Sequence, residues 1–387
     1  MDIPGAVSAL DSELVELRRD IHAHPELSWH EERTTSLIAD RLAQDGIEVR
    51  VQPKGGLVAD IGTTGPLVAL RADLDALPVD DRSGDPWAST VDGVAHACGH
   101  DVHAVSLLGA GLALKAQPDL PVRARLLFQP AEEVMPGGAL EMIAAGALDG
   151  VERVFGLHCD PSLDVGQIGL REGPLTGASD SLTIRLSGKG GHTSRPHLTQ
   201  DLTFTLGLLV TQLPAVLSRR LDPRAGASVV WGMVRSGSAT NVIPASGELA
   251  GTVRMLDAVA WADAEVLVRE LIDQLIAPYG VQADVTYLRG VPPVVNETIS
   301  TRMLGEAAAA VVGAEHVVPT TQSLGGEDFA WYLDSVPGAM ARLGTRTPGG
   351  PMYDLHQGDL RVDERCISLG ARLLAEAALV APTLHNR

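Results

Sequence analysis

Cysteine and long apolar runs are both scarce in this chain of 387 residues. The three cysteines are too few and too widely spaced for a disulfide framework, which favours a reducing compartment, and we expect a cytoplasmic protein. No stretch reaches the ~18 to 20 uninterrupted apolar residues that span a bilayer. The first residues lack the basic and apolar segments of a secretory signal. The sequence therefore predicts neither secretion nor a membrane partner.

Positive charge is also in short supply. Lysine and arginine together number 30 against 49 aspartates and glutamates, which gives a net charge of −19 at pH 7. Such a charge disfavours contact with nucleic-acid phosphates and anionic lipid, so we expect no nucleic-acid partner. The apolar content of 45 % and the charged content of 20 % are typical of a globular enzyme.

The order of the apolar segments predicts an α/β protein with a doubly wound, mostly parallel sheet. Strand-like runs at 67–71, 122–128 and 151–157 alternate with helical stretches at 102–114 and 137–147. Strands that alternate with helices are typical of parallel sheets, in which the chemistry gathers at the carboxyl ends of the strands.

A change of pattern near residue 177 indicates a second domain. Strand, helix, strands, helix and strand follow one another there, which predicts a small inserted α+β domain. We place this inserted domain at 177–290 and the catalytic domain at 1–176 and 291–387. The length of the chain also favours two domains.

Residue types that bind metal ions lie at or after the predicted strand ends. Cys98 and His100 are separated by one glycine, and a thiolate with an imidazole suits zinc-like ions. The candidate donors are Cys98, His100, Glu133, His158 and His356. Each alone has an ordinary explanation, as a buried thiol, a core histidine or a solvated glutamate. Together they favour a metal site.

Two adjacent glutamates, Glu132 and Glu133, end an apolar strand. Neighbouring side chains of an extended chain point to opposite sides, so one carboxylate can bind a metal while the other acts as a general base. The chain has more donors than one tetrahedral ion takes. A thiolate or carboxylate that bridges two ions would explain the excess.

Six ordered motifs match a known group of enzymes. They are His-Ala-Cys-Gly-His-Asp-Val-His (96–103), Gln-Pro-Ala-Glu-Glu (129–133), Gly-Leu-His (156–158), Gly-Lys-Gly-Gly-His (188–192), Thr-Asn-Val-Ile-Pro (240–244) and Gly-Glu-Asp-Phe (326–329). The chain resembles the metal-dependent amidohydrolases related to hippurate hydrolase, bacterial N-acyl-amino-acid aminoacylases and plant auxin-conjugate hydrolases. These belong to the wider clan of carboxypeptidase G. The resemblance covers nearly the whole chain.

The resemblance implies a centre with two divalent metal ions. By it, Cys98 bridges the ions, His100 and His158 complete one coordination sphere, and Glu133 and His356 complete the other. Zinc or manganese is expected, with cobalt and nickel as alternatives, because a thiolate disfavours magnesium and calcium.

The resemblance also implies roles outside the ligand set. Glu132 is then the general base on a metal-bound water, and Asp73 tunes a ligand and the neighbouring base. In the wider clan the position of Arg71 is a histidine ligand and that of Cys98 is an aspartate. This chain departs from the clan at both positions, and His100 stands in for the missing histidine.

The inserted segment resembles the lid or dimerisation domain of the same clan. His192 matches the histidine that stabilises the tetrahedral oxyanion, often from the partner subunit of a homodimer. Asn241 and Arg254 match residues that contact the substrate carboxylate or the oxyanion. The family usually has serine before Glu327, where this chain has Gly326, and a glycine still lets backbone amides approach a ligand.

We therefore expect hydrolysis of the amide bond of a small N-acyl amino acid by a homodimer. A dipeptidase or an N-acetyl-diamino-acid deacetylase of the same clan remains an alternative, as does a hydrolase of ureide or carbamoyl substrates. A binding protein without activity is disfavoured, because no ligand or base position is replaced.

Overall fold

The computed structural model of the chain describes residues 2–384. Within that range the α-helices are α1 (Ile3–Ser8), α2 (Asp11–Ala23), α3 (Glu32–Gln44), α4 (His100–Lys115), α5 (Ala139–Ala144), α6 (Leu202–Arg220), α7 (Ala258–Ile276), α8 (Thr298–Val312), α9 (Ala330–Leu333) and α10 (Arg365–Leu384).

The strands of the described residues, in chain order, are β1 (Val49–Val51), β2 (Leu57–Ile61), β3 (Leu67–Asp73), β4 (Arg123–Gln129), β5 (Arg153–Asp164), β6 (Ile168–Leu170), β7 (Gly173–Pro174), β8 (Ala178–Ser187), β9 (Gly191–His192), β10 (Ser228–Ser236), β11 (Val242–Ile243), β12 (Ser246–Met255), β13 (Gln282–Val291), β14 (Val295–Asn296), β15 (Val317–Pro319) and β16 (Gly338–Arg346).

The chain divides into two compact units. The first comprises Met1–Leu175, Val295–Thr321 and Asp328–Arg387, and the second comprises Thr176–Val294 and Gln322–Glu327. Our sequence-based bounds for the inserted domain, 177–290, leave out Gln322–Glu327, the second segment of the second unit. It has no helix or strand, so apolar periodicity offers no means of assigning it.

The first unit is built on a sheet of eight strands in the order β1-β2-β4-β3-β5-β16-β6-β15. The four central strands β4, β3, β5 and β16 run parallel, whereas β1, β2 and β6 join by antiparallel pairs. All seven residues of β3 are buried, which is typical of a strand covered on both faces. The predicted α/β class with a mostly parallel sheet is confirmed.

Helix α4 packs against this sheet and forms part of the hydrophobic core of the first unit. Its residues from His100 to Leu114 are all buried, as expected for an internal helix that is almost entirely apolar after its first turn. It packs against α2 and α10. A Cβ atom at Gly109 would lie 2.7 Å from Leu14 Cδ1 and 3.1 Å from Ala371 Cβ. This glycine therefore lets the three helices approach closely.

The second unit contains a four-stranded antiparallel sheet in the order β10-β12-β8-β13, with α6 and α7 packed on it. A two-stranded ribbon pairs β9 with β11. By length and composition alone, α6 could cross a membrane, and a third of that stretch is buried. One such helix is weak support for a membrane span, since core helices pass the same test.

The close approach at Gly109 predicts a measurable stability difference. Gly109→Val forces new methyl groups between α2, α4 and α10, and overpacking of this kind costs roughly 1–3 kcal/mol. Gly207 is the control, because it lies exposed in α6, where an added Cβ atom would have no neighbour within 4 Å. Gly207→Ala should raise stability by about 0.5–1 kcal/mol. Urea unfolding followed by circular dichroism measures both, and equal midpoints for the two variants would contradict this packing.

Candidate metal centre

The five predicted donors all lie in the first unit, but only Glu133 lies just past a strand end, because the strand that we predict to end before His158 continues to Asp164. Cys98 lies in the loop before α4, and Gly99 at φ +87° turns the chain so that His100 begins that helix. Glu133 follows β4, and His158 lies within β5. His356 lies in the loop before α10 and has a φ of +61°.

The first group of donors consists of Cys98, His100 and His158. Their potential ligand atoms all lie within 4.8 Å of one another, and all three residues are buried. Cys98 Sγ lies 3.5 Å from His158 Nε2. The thiol and the two imidazoles therefore converge on one point.

A second group consists of Cys98, Glu133 and His356, again with ligand atoms within 4.8 Å of one another. Glu133 Oε1 lies 3.4 Å from His356 Nε2. The backbone N–H of His356 donates to the carbonyl oxygen of Ala97 at 2.7 Å, which fixes that loop beside the thiol. Cys98 is thus common to both groups.

Backbone carbonyls orient the two buried imidazoles. His100 Nδ1 lies 2.9 Å from the carbonyl oxygen of Asp75, and His158 Nδ1 lies 2.8 Å from that of Cys159. Each Nδ1 therefore donates to a carbonyl oxygen, and each Nε2 faces the other donors. Metal-binding histidines are typically held in this way.

Unpartnered buried atoms test whether this set fits metal ions. His100 Nε2 and Glu133 Oε1 are buried, and neither has a hydrogen-bond partner among the residues that the structure describes. The two atoms lie 3.8 Å apart. Buried polar atoms without partners are costly, and a cation would satisfy both. The donor set therefore fits divalent metal ions.

The close packing of the donors also changes their pKa values. Burial and the charge of Glu133 raise the pKa of the Cys98 thiol. The adjacent Cys98 thiol and Glu133 carboxylate raise the pKa of His356 to about 10, although burial opposes this. A divalent cation competes with such protons, because thiolate and neutral imidazole are the forms that bind metal.

Glu132 lies beside the donors. Its Oε2 lies 4.0 Å from His100 Nε2, and Glu132 forms a close group with His100 and Glu133. Asp75 Oδ2 accepts the backbone N–H of Glu133 at 2.9 Å, which helps to hold the turn that carries both glutamates.

Arg71 links several strand ends beneath the site. Its guanidinium is fully buried and donates to Asp73 at 2.6 Å, to Asp328 at 2.7 Å and to Gln129 at 2.9 Å. Burial opposes ionisation of Asp73, but the charges of His100 and Arg71 prevail and hold its pKa well below the usual range. A guanidinium is not a metal ligand, so Arg71 contributes here as a fixed positive charge.

His103 is a neighbour that sequence reasoning did not assign. Its Nδ1 lies 2.6 Å from Asp73 Oδ1, and its Nε2 accepts the backbone N–H of Cys159 at 2.8 Å. Both ring nitrogens are therefore engaged, which makes His103 a support for Asp73. The sequence feature that could have identified His103 is its position three residues after His100, which places both histidines on the same face of α4.

The remaining predicted residues lie in the second unit, as two local pairs. His192 and Asn241 meet at the ribbon of β9 and β11, where Thr193 N–H donates to the carbonyl oxygen of Asn241 at 3.2 Å. Arg254 donates to the carbonyl oxygen of Leu324 at 2.6 Å, close in sequence to Gly326.

Ser194 sets the orientation of His192. The backbone N–H of Ser194 donates to His192 Nδ1 at 3.1 Å, and the Ser194 hydroxyl lies 2.9 Å from the same atom. In the neutral imidazole, Nε2 then carries the proton. His192 is exposed and presents an N–H donor.

Comparison with known proteins agrees with this geometry. Residues 69–380 match the peptidase family M20/M25/M40. The N-acetyl-L-cysteine deacetylase of Bacillus subtilis is 38 % identical over 379 residues, which cover 97 % of this chain and 89 % of that protein. A Rhodococcus jostii protein named as a glutamate–cysteine ligase is 52 % identical over 366 residues, or 94 % of this chain. This chain spans only 46 % of that relative.

Solved structures give the same result. The crystal structure of Bacillus subtilis YxeP, described as a dinuclear metal-binding peptidase of the M20 family, is 34 % identical and has a TM-score of 0.83. The match covers 97 % of this chain and 99 % of that one. Together with the donor groups, this similarity supports two divalent metal ions. The resemblance to amidohydrolases is confirmed: the chain belongs to the M20/M25/M40 family and is a hydrolase that acts on amides.

Proposed function

We propose that the protein hydrolyses the amide bond of N-acyl amino acids at this centre. The observation that carries the proposal is the position of Glu132 beside two donor groups that share Cys98. The name of the Bacillus subtilis relative, N-acetyl-L-cysteine deacetylase, supports an N-acyl amino acid as the substrate class.

The proposed ligands are those of the two donor groups. Cys98, His100 and His158 would hold one ion, and Cys98, Glu133 and His356 would hold the other. The preferred ions are zinc or manganese, with cobalt and nickel as alternatives, because thiolate and imidazole are softer donors than magnesium or calcium favours. Bound divalent ions supply Lewis acidity at such a site.

Glu132 performs the proton transfers in this proposal. Its carboxylate takes a proton from the water whose oxygen attacks the carbonyl carbon, and it returns that proton to the leaving nitrogen as the C–N bond breaks. The products are a carboxylate and a free amino acid. Asp73, which is bonded to Arg71 and His103, tunes the nearby His100 and the neighbouring base Glu132.

The second unit contributes hydrogen-bond donors. His192 donates from Nε2 to the carbonyl oxygen as negative charge develops there, and its orientation by Ser194 supports that role. Arg254, Asn241 and Gly326 bind the substrate carboxylate, for which guanidinium has a matching two-pronged geometry.

We also propose a cytoplasmic homodimer formed through the second unit. Its edge strand β10 exposes Val230 (60 %) and Val234 (55 %), and α6 exposes Phe204 (56 %). An unpaired strand edge with apolar side chains is a ready surface for a second copy. The three cysteines are unpaired and buried, as in a reducing compartment.

A substrate panel tests the activity. We expect N-acetyl, N-benzoyl and longer N-acyl amino acids to be hydrolysed, with N-acetylcysteine included, and dipeptides, N-acetyl diamino acids and N-carbamoyl amino acids to be poor substrates. Release of an amine measures the hydrolysis of N-acyl amino acids, dipeptides and N-acetyl diamino acids, and release of ammonia identifies the hydrolysis of N-carbamoyl amino acids.

Glu132→Gln should abolish turnover with metal content unchanged, whereas Glu141→Gln, an exposed control that pairs with Lys54, should keep full activity. Near wild-type turnover by Glu132→Gln would overturn the base assignment.

Metal content tests the shared thiolate. Cys98→Ala removes a donor from both groups and should lower binding of both ions, whereas His356→Ala should lower binding of one. Cys366→Ala is the matched control, because Cys366 is buried in α10 and belongs to neither group. Plasma emission spectroscopy after dialysis gives the stoichiometry. Loss of a single ion from Cys98→Ala would contradict a bridging role.

Sedimentation equilibrium tests the homodimer. Placing two charges at the strand edge with Val230→Lys and Val234→Lys should shift a dimer to monomer, because burying unpaired ammonium groups is costly. Val266→Lys, at an exposed position on α7 of the same unit, should leave the mass unchanged. A wild-type protein that sediments as a monomer at micromolar concentration would refute the dimer.

A further inference from the structure

Glu31 is a buried carboxyl group that the proposed chemistry does not use. Its side chain is 2 % exposed, and it occupies the position before α3, where a side chain usually accepts an N–H of its own helix. It makes no such bond. Glu26 accepts the N–H groups of Arg33 and Thr34 instead, each at 2.8 Å. The carboxyl group of Glu31 is therefore directed to another part of the fold.

That part is the turn between β4 and the two glutamates. Glu31 Oε1 accepts the backbone N–H of Ala131 at 2.8 Å and that of Trp29 at 3.1 Å. Ala131 is fully buried and has a φ of +55°, in the left-handed region that residues with a side chain rarely adopt. Such a conformation persists only when its surroundings fix it.

Asp75 holds the other end of the same turn. Its Oδ2 accepts the backbone N–H of Glu133 at 2.9 Å and the hydroxyl proton of Ser28 at 2.7 Å. Ser28 and Glu31 belong to one short segment before α3. This segment therefore supports the turn at Ala131 directly and at Glu133 through Asp75.

We infer that Glu31 is a positioning residue for Glu132 and Glu133. Its carboxyl group fixes the left-handed backbone at Ala131, and thereby the turn from which the carboxylates of Glu132 and Glu133 both reach His100. The inference rests on the proposed function in one respect, namely that Glu133 binds metal and Glu132 moves the proton.

The environment of Glu31 selects the informative substitutions. Burial and the negative charge of Asp75 raise the pKa of Glu31 to about 7, and its Oε2 is buried without a hydrogen-bond partner among the described residues. A neutral group is therefore tolerated here. Glutamine keeps the acceptor oxygen and the shape of a neutral carboxyl group, whereas alanine removes the acceptor and leaves the Ala131 N–H without it.

The experiment compares Glu31→Ala, Glu31→Gln and Glu26→Ala. For Glu31→Ala we expect the affinity for one of two Zn²⁺ equivalents, measured by competition with a chelating dye, to fall roughly tenfold to a hundredfold. We expect kcat on an N-acyl amino acid to fall by a similar factor with KM within about threefold, as for a group that aligns the reacting residues. Glu31→Gln should restore both quantities to within about threefold of wild type.

Glu26→Ala is the matched control. It removes a glutamate from the same segment that bonds two backbone N–H groups of α3 but none of the turn. We expect a lower melting temperature with unchanged zinc affinity and unchanged kcat. Equal losses of zinc affinity in Glu26→Ala and Glu31→Ala would reduce Glu31 to a general stabiliser of the segment and overturn the inference.

Two further outcomes are decisive. Wild-type zinc affinity and kcat in a folded Glu31→Ala protein would overturn the positioning role. If Glu31→Ala does not fold, Ser28→Ala takes its place, since it weakens the Asp75 end of the turn, and an unchanged zinc affinity there would equally count against the inference. Zinc binding is measured without substrate, so a failure of the proposed substrate class leaves this test intact.

Discussion

Five polar donors with few hydrogen-bond partners are packed within a few ångströms of one another in the first unit, and Cys98 belongs to both groups. A thiol, a carboxylate and imidazole lone pairs within a few ångströms are unfavourable in a buried site unless positive charge lies among them. Several nearby contacts reduce this cost. The pKa values of the Cys98 thiol and the His356 imidazole are both raised, and bonds to backbone carbonyls turn the Nε2 atoms of His100 and His158 toward the other donors.

The scaffold holds these groups with carboxylates that are not themselves donors. Asp73 anchors His103 and Arg71, and Asp75 accepts the backbone N–H of Glu133 while its own carbonyl oxygen orients His100. Buried hydrogen bonds to charged groups are stronger than neutral ones. The five donors thus come from four separate stretches of the first unit.

The sequence indicates which side chains converge in the first unit, because short motifs are local features. Cys98 and His100 are two residues apart, and Glu132 and Glu133 are adjacent, so their relation is visible in the order of the letters. Glu31 and Ala131 are 100 positions apart, and no periodicity links a helix start to a turn after a strand. The assignment of Gln322–Glu327 to the second unit is hidden for the same reason, since this segment has no regular structure. Hydrogen bonds across the fold, which decide these cases, leave no trace in composition or spacing.

The buried guanidinium of Arg71 has a consequence for the metal-free chain. Arginine keeps its charge at any pH at which proteins remain folded, so the bonds to Asp73, Asp328 and Gln129 persist whether or not cations are bound. The Arg71 guanidinium therefore joins the end of β3, the end of β4 and the loop at Asp328, and a chelator cannot remove it. After removal of metal, the strand ends that Arg71 joins would stay in place, and metal could bind again without refolding of the sheet.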